Sequence, residues 1–132
     1  MPLATQLSLN LRDEPDMLAR LCRDLANGGV NLLALSAARG GSDGGAVRLL
    51  VANRELAEHA LARAGYRFSA DEVLFLEIKN RPGALAKVVE KLARAGIGVR
   101  SAFATANTRS QKSAVVIAVD ESDLARAVKL LG

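Results

Sequence analysis

Residues 11–32, LRDEPDMLARLCRDLANGGVNL, and residues 78–99, IKNRPGALAKVVEKLARAGIGV, align with one another at a shift of 67 positions. Pro15 falls on Pro82, Leu18 on Leu85, Ala19 on Ala86, Leu25 on Leu92, Ala26 on Ala93 and Gly29 on Gly96. Further along, AVRLLVANRELA (46–57) aligns with AVVIAVDESDLA (114–125) at a shift of 68, so one residue is inserted in the connection between the two blocks. The chain is therefore two copies of one unit, and a repeat of this kind organises the fold before any single element is named.

Each copy reads in the same order. Leu7, Leu9 and Leu11 alternate with Ser8 and Asn10 as a strand with one buried face, and 73–78 is its more apolar counterpart. A helix follows in each copy. Its apolar positions, Leu18, Leu21, Cys22 and Leu25 in the first and Leu85, Val88, Val89 and Leu92 in the second, recur at i, i+3, i+4 and i+7, so all four are expected on the buried stripe. Cys22 is thereby expected as a small core residue. Gly29 and Gly96 supply the left-handed residue that ends a helix. Second strands are expected over 30–38 and 97–106. GGSDGG (40–45) and NTRSQK (107–112) then turn the chain into third strands at 46–52 and 114–119, and second helices follow near 54–64 and 121–131. YRFS (66–69) reads as a fourth strand of the first copy, which the second copy lacks.

The order βαββαβ followed by βαββα predicts an α+β fold: two ferredoxin-like units in tandem, each an antiparallel sheet with helices on one face. The expected units are 1–70 and 71–132, the second truncated at the C-terminus. Without its last strand, the apolar edge at 72–79 needs cover from another segment or from a dimer contact.

Composition limits the chemistry. With 132 residues, half of them apolar, the chain can bury a core. The single cysteine excludes an internal disulfide framework and suits a reducing, cytoplasmic setting. No leader pattern and no apolar run of membrane-spanning length is present, so no membrane partner is expected. The net charge of +4 is small and dispersed. His59, the one histidine, sits on the polar side of its helix without a visible general-base partner, and the hydroxyls of Ser101, Thr105, Thr108 and Ser110 have no histidine near them in sequence. The acidic residues lack metal-ligand spacing. GGSDGG joins two strands and lacks the lysine of a phosphate loop. No catalytic residue, metal or cofactor is expected.

NRPGAL (80–85) carries the binding chemistry. Proline at a first helical turn loses nothing, but glycine gives up about 1 kcal/mol of helix propensity relative to alanine. Either the backbone conformation requires it or something approaches the chain there. The N–H groups of Gly83, Ala84 and Leu85 are expected as open donors at the positive end of a helix, and Asn80 adds a donor and an acceptor. That combination suits a zwitterion, a free amino acid.

The turn NRPGALAKVVEKLARAGIGV, its echo DEPDMLARLCRDLANGGVNL, and the hairpin and helix after each resemble the ACT domain, and two in one chain resemble small stand-alone tandem-ACT proteins. The resemblance implies a regulatory, non-catalytic fold that binds amino acids at an interface between paired units. It also implies a homodimer, allosteric control of a partner enzyme or regulator, and no nucleic acid. By the same resemblance Asn80, Arg81, Pro82, Gly83, Ala84 and Leu85 form one wall of the site, and the second strands, around Ser36, Ser101 and Phe103, form the other.

The first copy departs from this pattern, with Asp13 in place of Asn80 and Asp16 in place of Gly83. Asp16 is expected to cap its own helix and to repel a carboxylate, leaving the first turn structural or facing the ammonium. Met17 and Leu18, with Ala84 and Leu85, favour an aliphatic or aromatic ligand side chain. Two rivals remain open: a ligand-free interaction module, and an RNA-binding module with the same element order. The RNA reading lacks aromatic residues on the third strands, AVRLLVA and AVVIAVD.

Overall fold

The computed structural model describes residues 3–39, 45–106, 109 and 111–132. The chain runs β1 (Leu3–Leu11), α1 (Met17–Asn27), β2 (Leu32–Arg39), β3 (Gly45–Val51), α2 (Arg54–Arg63), β4 (Ser69–Lys79), α3 (Ala84–Arg94), β5 (Val99–Ala106), β6 (Lys112–Val119), a 3-10 turn (Glu121–Asp123) and α4 (Leu124–Leu131). The fold is α+β, with the ferredoxin-like order expected from the repeat. Residues 40–44 of GGSDGG, and Asn107, Thr108 and Ser110, lie outside the described residues.

Two compact units divide the chain. The first is Thr5–Asp71; the second takes Glu72–Gly132 and, from the start of β1, Leu3 and Ala4. In the first unit β3 lies between β1 and β2, antiparallel to both, with Leu7 opposite Leu49, Leu9 opposite Val47 and Leu35 opposite Leu49. In the second, β6 lies between β4 and β5, with Leu74 opposite Ile117 and Leu76 opposite Val115. Register shifts between Leu32 and Ala34 and between Val99 and Ser101 occur at equivalent places in the two copies. A bulge bends and twists its strand, and here both second strands carry one.

Alternation directs one face of each sheet to the helices. Leu7, Leu9, Leu11, Val47, Leu49 and Val51 meet Leu21 and Leu25 of α1 and Ala57 and Leu61 of α2 in the first core. Leu74, Val115, Ile117 and Val119 meet Leu92 and Ala127 in the second. Each fully buried leucine contributes about 1.5–3 kcal/mol through removal from water. Asn53 caps α2 by accepting from the Leu56 amide at 3.1 Å. In the second unit, the Arg126 guanidinium donates to the Ala95 carbonyl at 3.0 Å and to Asp123 at 2.8 Å, tying α4 to the end of α3.

Three expectations are corrected. YRFS is not a separate strand: residues 66–68 are irregular, and Ser69 begins β4, four residues before the strand expected at 73–78. Tyr66 and Phe68 nonetheless pack on the first core, so apolar residues read as a strand are partly buried from an irregular connection. The leading end of β1 is the counterpart in the second unit, since Leu3 packs on that core.

The helical stripes are also narrower than expected. Only Leu21 and Leu25 of the first set, and Leu92 of the second, are buried; Val88 is half-buried. Leu18, Leu85 and Val89 are about 40% exposed, at 39%, 42% and 40%. Cys22 is exposed as well, not a core residue. A flat sheet covers only the part of a helix turned towards it, and the apolar arc of these helices is wider than that.

Candidate functional site

Gly83 precedes α3 with φ +87° and ψ −13°, a left-handed conformation costly for any side chain. Its backbone therefore requires glycine. A Cβ built there would meet nothing within 4 Å, so space is open beside the main chain as well.

Hydrogen bonds around this turn repeat those of the first copy. The Arg81 amide donates to the Lys79 carbonyl, Ala84 to Arg81 and Lys87 to Gly83, as Glu14 donates to Arg12, Met17 to Glu14 and Arg20 to Asp16. The Ala84 amide is thus not an open donor, because a turn closed on Arg81 at 3.2 Å consumes it. Among the described residues, the amides of Gly83 and Leu85 have no protein acceptor. The Asn80 main chain donates to the Gln111 carbonyl, which anchors the turn to the β6 side of the unit and leaves the Asn80 side chain exposed.

A pocket of about 280 Å³ opens beside this turn, lined by Ile78, Lys79, Arg81, Pro82, Gly83, Ala84, Lys87 and Val88. Four of these, Arg81, Pro82, Gly83 and Ala84, were expected from sequence. Lys79, Lys87, Ile78 and Val88 were not, although Lys87 lies one helical turn after Gly83 and so shares its side of the helix. Apolar groups from Ile78, Pro82, Ala84 and Val88 form the floor. Three cations and no carboxylate surround it.

The first turn is instead charge-balanced by ion pairs. Arg12 pairs with Glu14 at 3.4 Å, Arg39 with Asp13 at 3.0 Å and Arg20 with Asp16 at 4.0 Å. At the equivalent positions of the second turn stand Lys79 and Arg81, Ala106 and Asn80, and Lys87 and Gly83. Every acid has gone while the cations beside the helix remain. Asp16 makes no side-chain cap to α1, contrary to expectation; its backbone is helical, at φ −91° and ψ −6°, and its carboxylate turns to Arg20 instead.

The other expected residues are placed as follows. Met17 packs on the first core and Leu18 is exposed beside it on α1. Leu85 is exposed on α3 and does not line the pocket. Ser36 lies opposite Arg48, itself opposite Ser8, on the sheet face away from the helices. The equivalent row in the second unit is Phe103, Val116 and Phe75, with Ser101 opposite Ala118. One sheet presents a polar row with an arginine and the other an apolar, aromatic one. Among the described residues there is no cluster of three or more metal-ligating side chains, and no helix is long and apolar enough to cross a membrane.

Comparison with known proteins agrees with this architecture. Residues 74–132 match the model of the AHAS small subunit-like ACT domain. The crystal structure of protein BT0572 from Bacteroides thetaiotaomicron is similar at 29% identity and a TM-score of 0.86, over 98% of this chain and 87% of that one. The regulatory subunit of aspartate kinase from Thermus flavus is similar at 17% identity and a TM-score of 0.65, over 98% and 90%. That from Thermus thermophilus, in its ligand-free form, gives 17% and 0.66, over 97% and 90%. No curated protein sequence matches the chain. These structures share the fold of the chain, and its second copy carries the match to the ACT family model.

Proposed function

We propose that this chain, ACT-like in the sequence of its second copy and in the fold of both, is a non-catalytic cytoplasmic sensor of a free amino acid. The ligand carboxylate lies at the amides of Gly83 and Leu85, within reach of Lys79, Arg81 and Lys87. Asn80 offers its side-chain carbonyl to the ammonium, and Ile78, Pro82 and Val88 pack on the ligand side chain. The protein works as a homodimer. Its signal reaches a partner enzyme or regulator through the preference of the ligand for one conformational or oligomeric state. The regulatory role accords with the aspartate kinase regulatory subunits that share the fold.

The observation that carries this reading is the loss of all three acids from one of two otherwise repeated turns. A helix N-terminus contributes about 0.3–1 kcal/mol to an anion when exposed, and each exposed cation about 1 kcal/mol or less. Together they orient a carboxylate. Affinity beyond that comes from burying the side chain on the apolar floor, which is how specificity among amino acids arises.

Thermal unfolding with each common amino acid tests the proposal. A ligand present at 100 times its Kd adds about 2.7 kcal/mol to stability and raises Tm. A rise with one or a few amino acids supports the reading. An unchanged Tm with all of them at millimolar concentration leaves a ligand-free interaction module.

A further inference from the structure

The first unit holds an arginine in the middle strand of its sheet, on the face away from the helices. Arg48 of β3 lies opposite Ser8 of β1 on one side and Ser36 of β2 on the other, so the three form one cross-strand row. All three are partly buried. Among the described residues, neither the guanidinium nor either hydroxyl meets a hydrogen-bonding or ionic partner in the protein. The strands β1, β2 and β3 carry no acidic residue at all. A guanidinium stays charged and presents its N–H donors in a planar fork that fits a carboxylate or phosphate.

Gln6 supplies an independent observation. It precedes Ser8 by two residues on β1, so it shares that face, and it lies opposite Leu50. At 3% exposed it is the one buried polar residue among those described, and its Oε1 has no hydrogen-bond partner. Buried polar atoms nearly always have one, and leaving one unpaired costs stability. A carbonyl oxygen only accepts, so what this atom lacks is a donor.

The internal repeat shows that the fold does not need these polar groups. In the second unit Phe103, Val116 and Phe75 stand at the places of Ser36, Arg48 and Ser8, and the fully buried Val73 stands at that of Gln6. The same scaffold carries four apolar side chains in one copy and two hydroxyls, a guanidinium and a primary amide in the other. Packing is served by the apolar set. The polar set adds donors along one row and, two residues along β1 or roughly 7 Å away, an acceptor.

We propose that this face of the first unit binds a small organic oxyanion, phosphate or carboxylate, that also carries a hydroxyl. Arg48 holds the anionic group in its fork, Ser8 and Ser36 donate to its oxygens, and the ligand hydroxyl donates to Gln6 Oε1. A neutral hydroxyl fits this place better than an ammonium, because Arg48 is cationic and no acid on the three strands would balance a second positive charge. The site shares no residue with the pocket beside Gly83 and holds whether or not an amino acid binds there.

Calorimetric titration of the full chain with glycerol 3-phosphate and with glycerate, which end a hydroxylated skeleton in phosphate or in carboxylate, tests the proposal. At least one binds saturably, and the tighter one identifies the anion. Arg48→Val, which installs the residue of the second unit, weakens that binding by more than about tenfold with an unchanged circular dichroism spectrum. Arg48→Lys keeps the charge, loses the fork and weakens it less. Gln6→Val weakens it about fivefold but leaves unchanged the binding of ethyl phosphate or propionate, which lack the hydroxyl. Gly83→Asp has no effect on any of these. Absence of binding by both hydroxylated probes up to about 10 mM, binding that survives Arg48→Val, or binding that Gly83→Asp removes would each overturn the proposal. A Gln6→Val protein that binds the hydroxylated probes as the wild type does would overturn the part assigned to Gln6.

Discussion

Arg20 reaches Asp16 at 4.0 Å across the first turn of α1, and 67 residues later Lys87 stands one turn from a glycine. Around the first turn carboxylates of the chain pair with the cations, and at the equivalent positions of the second turn no acid stands beside Lys79, Arg81 and Lys87. The difference also reaches the backbone, since Asp16 is at φ −91° and Gly83 at φ +87°.

In the proposed site, Gly83→Asp places a carboxylate at the position assigned to the ligand carboxylate, and the expected outcome is loss of amino-acid stabilisation in thermal unfolding. Gly83→Ala adds no charge but pays the strain of positive φ, so it lowers stability by about 1–2 kcal/mol in denaturant titration. Asp16→Gly leaves the ligand response in place. A response that survives Gly83→Asp and is lost in Asp16→Gly contradicts the assignment of the two turns.

Lys87→Gln removes one exposed cation beside the pocket. It weakens the effective amino acid by a few-fold, within the ~1 kcal/mol of an exposed charge interaction, and leaves Tm of the free protein within about 1–2 °C. Added salt reduces wild-type affinity more than that of Lys87→Gln. Equal salt dependence in both proteins would show that Lys87 does not meet the ligand.

Leu21 and Leu18 are three residues apart on α1, yet one is fully buried and the other 39% exposed. Leu21→Ala costs about 3 kcal/mol in chemical denaturation through lost burial and a cavity, and Leu18→Ala less than about 1 kcal/mol at concentrations where the protein is monomeric. Similar costs would restore the broader buried stripe read from periodicity.

Tyr66 donates its hydroxyl to Asp24 at 2.8 Å, linking the segment after α2 to α1 within the first unit. Partial burial, then this hydrogen bond and the Asp24 charge, push its pKa from 10.0 up to about 12. The neutral phenol is the bonded form, so its contribution is complete below pH 10 and is lost as pH rises through about 12. Since Tyr66 is the only tyrosine, phenolate absorbance reports it alone, with a midpoint near 12 in the folded protein. Tyr66→Phe lowers stability at neutral pH by about 1 kcal/mol and removes the alkaline decline specific to this group. A midpoint at 10 in the native protein would contradict both the partial burial of Tyr66 and its bond to Asp24.

The repeat made the fold legible, because two aligned copies support each other's strands, helices and connections. Periodicity found Leu21, Leu25 and Leu92 but could not say how wide a helical arc the sheet covers, and so it placed Leu18, Cys22, Leu85 and Val89 inside. Pattern alone also could not show that Tyr66–Phe68 pack without forming a ladder, or that Leu3 serves the second core from a strand that begins the first copy. At the site, Gly83 stood out by its composition. Lys79 and Lys87 did not, since isolated lysines are common on solvated helix and strand faces, and their lack of acids became visible only when the two turns were compared ion pair by ion pair.

The most direct measurement is a titration of the ¹⁵N-labelled chain with the stabilising amino acid, followed by its amide resonances. Large shifts at Gly83 and Leu85, saturating together with the thermal response and small at Asp16 and Met17, are the predicted result. Saturable shifts confined to the first turn or to surfaces remote from residues 78–88, with Gly83 and Leu85 unmoved, would contradict it.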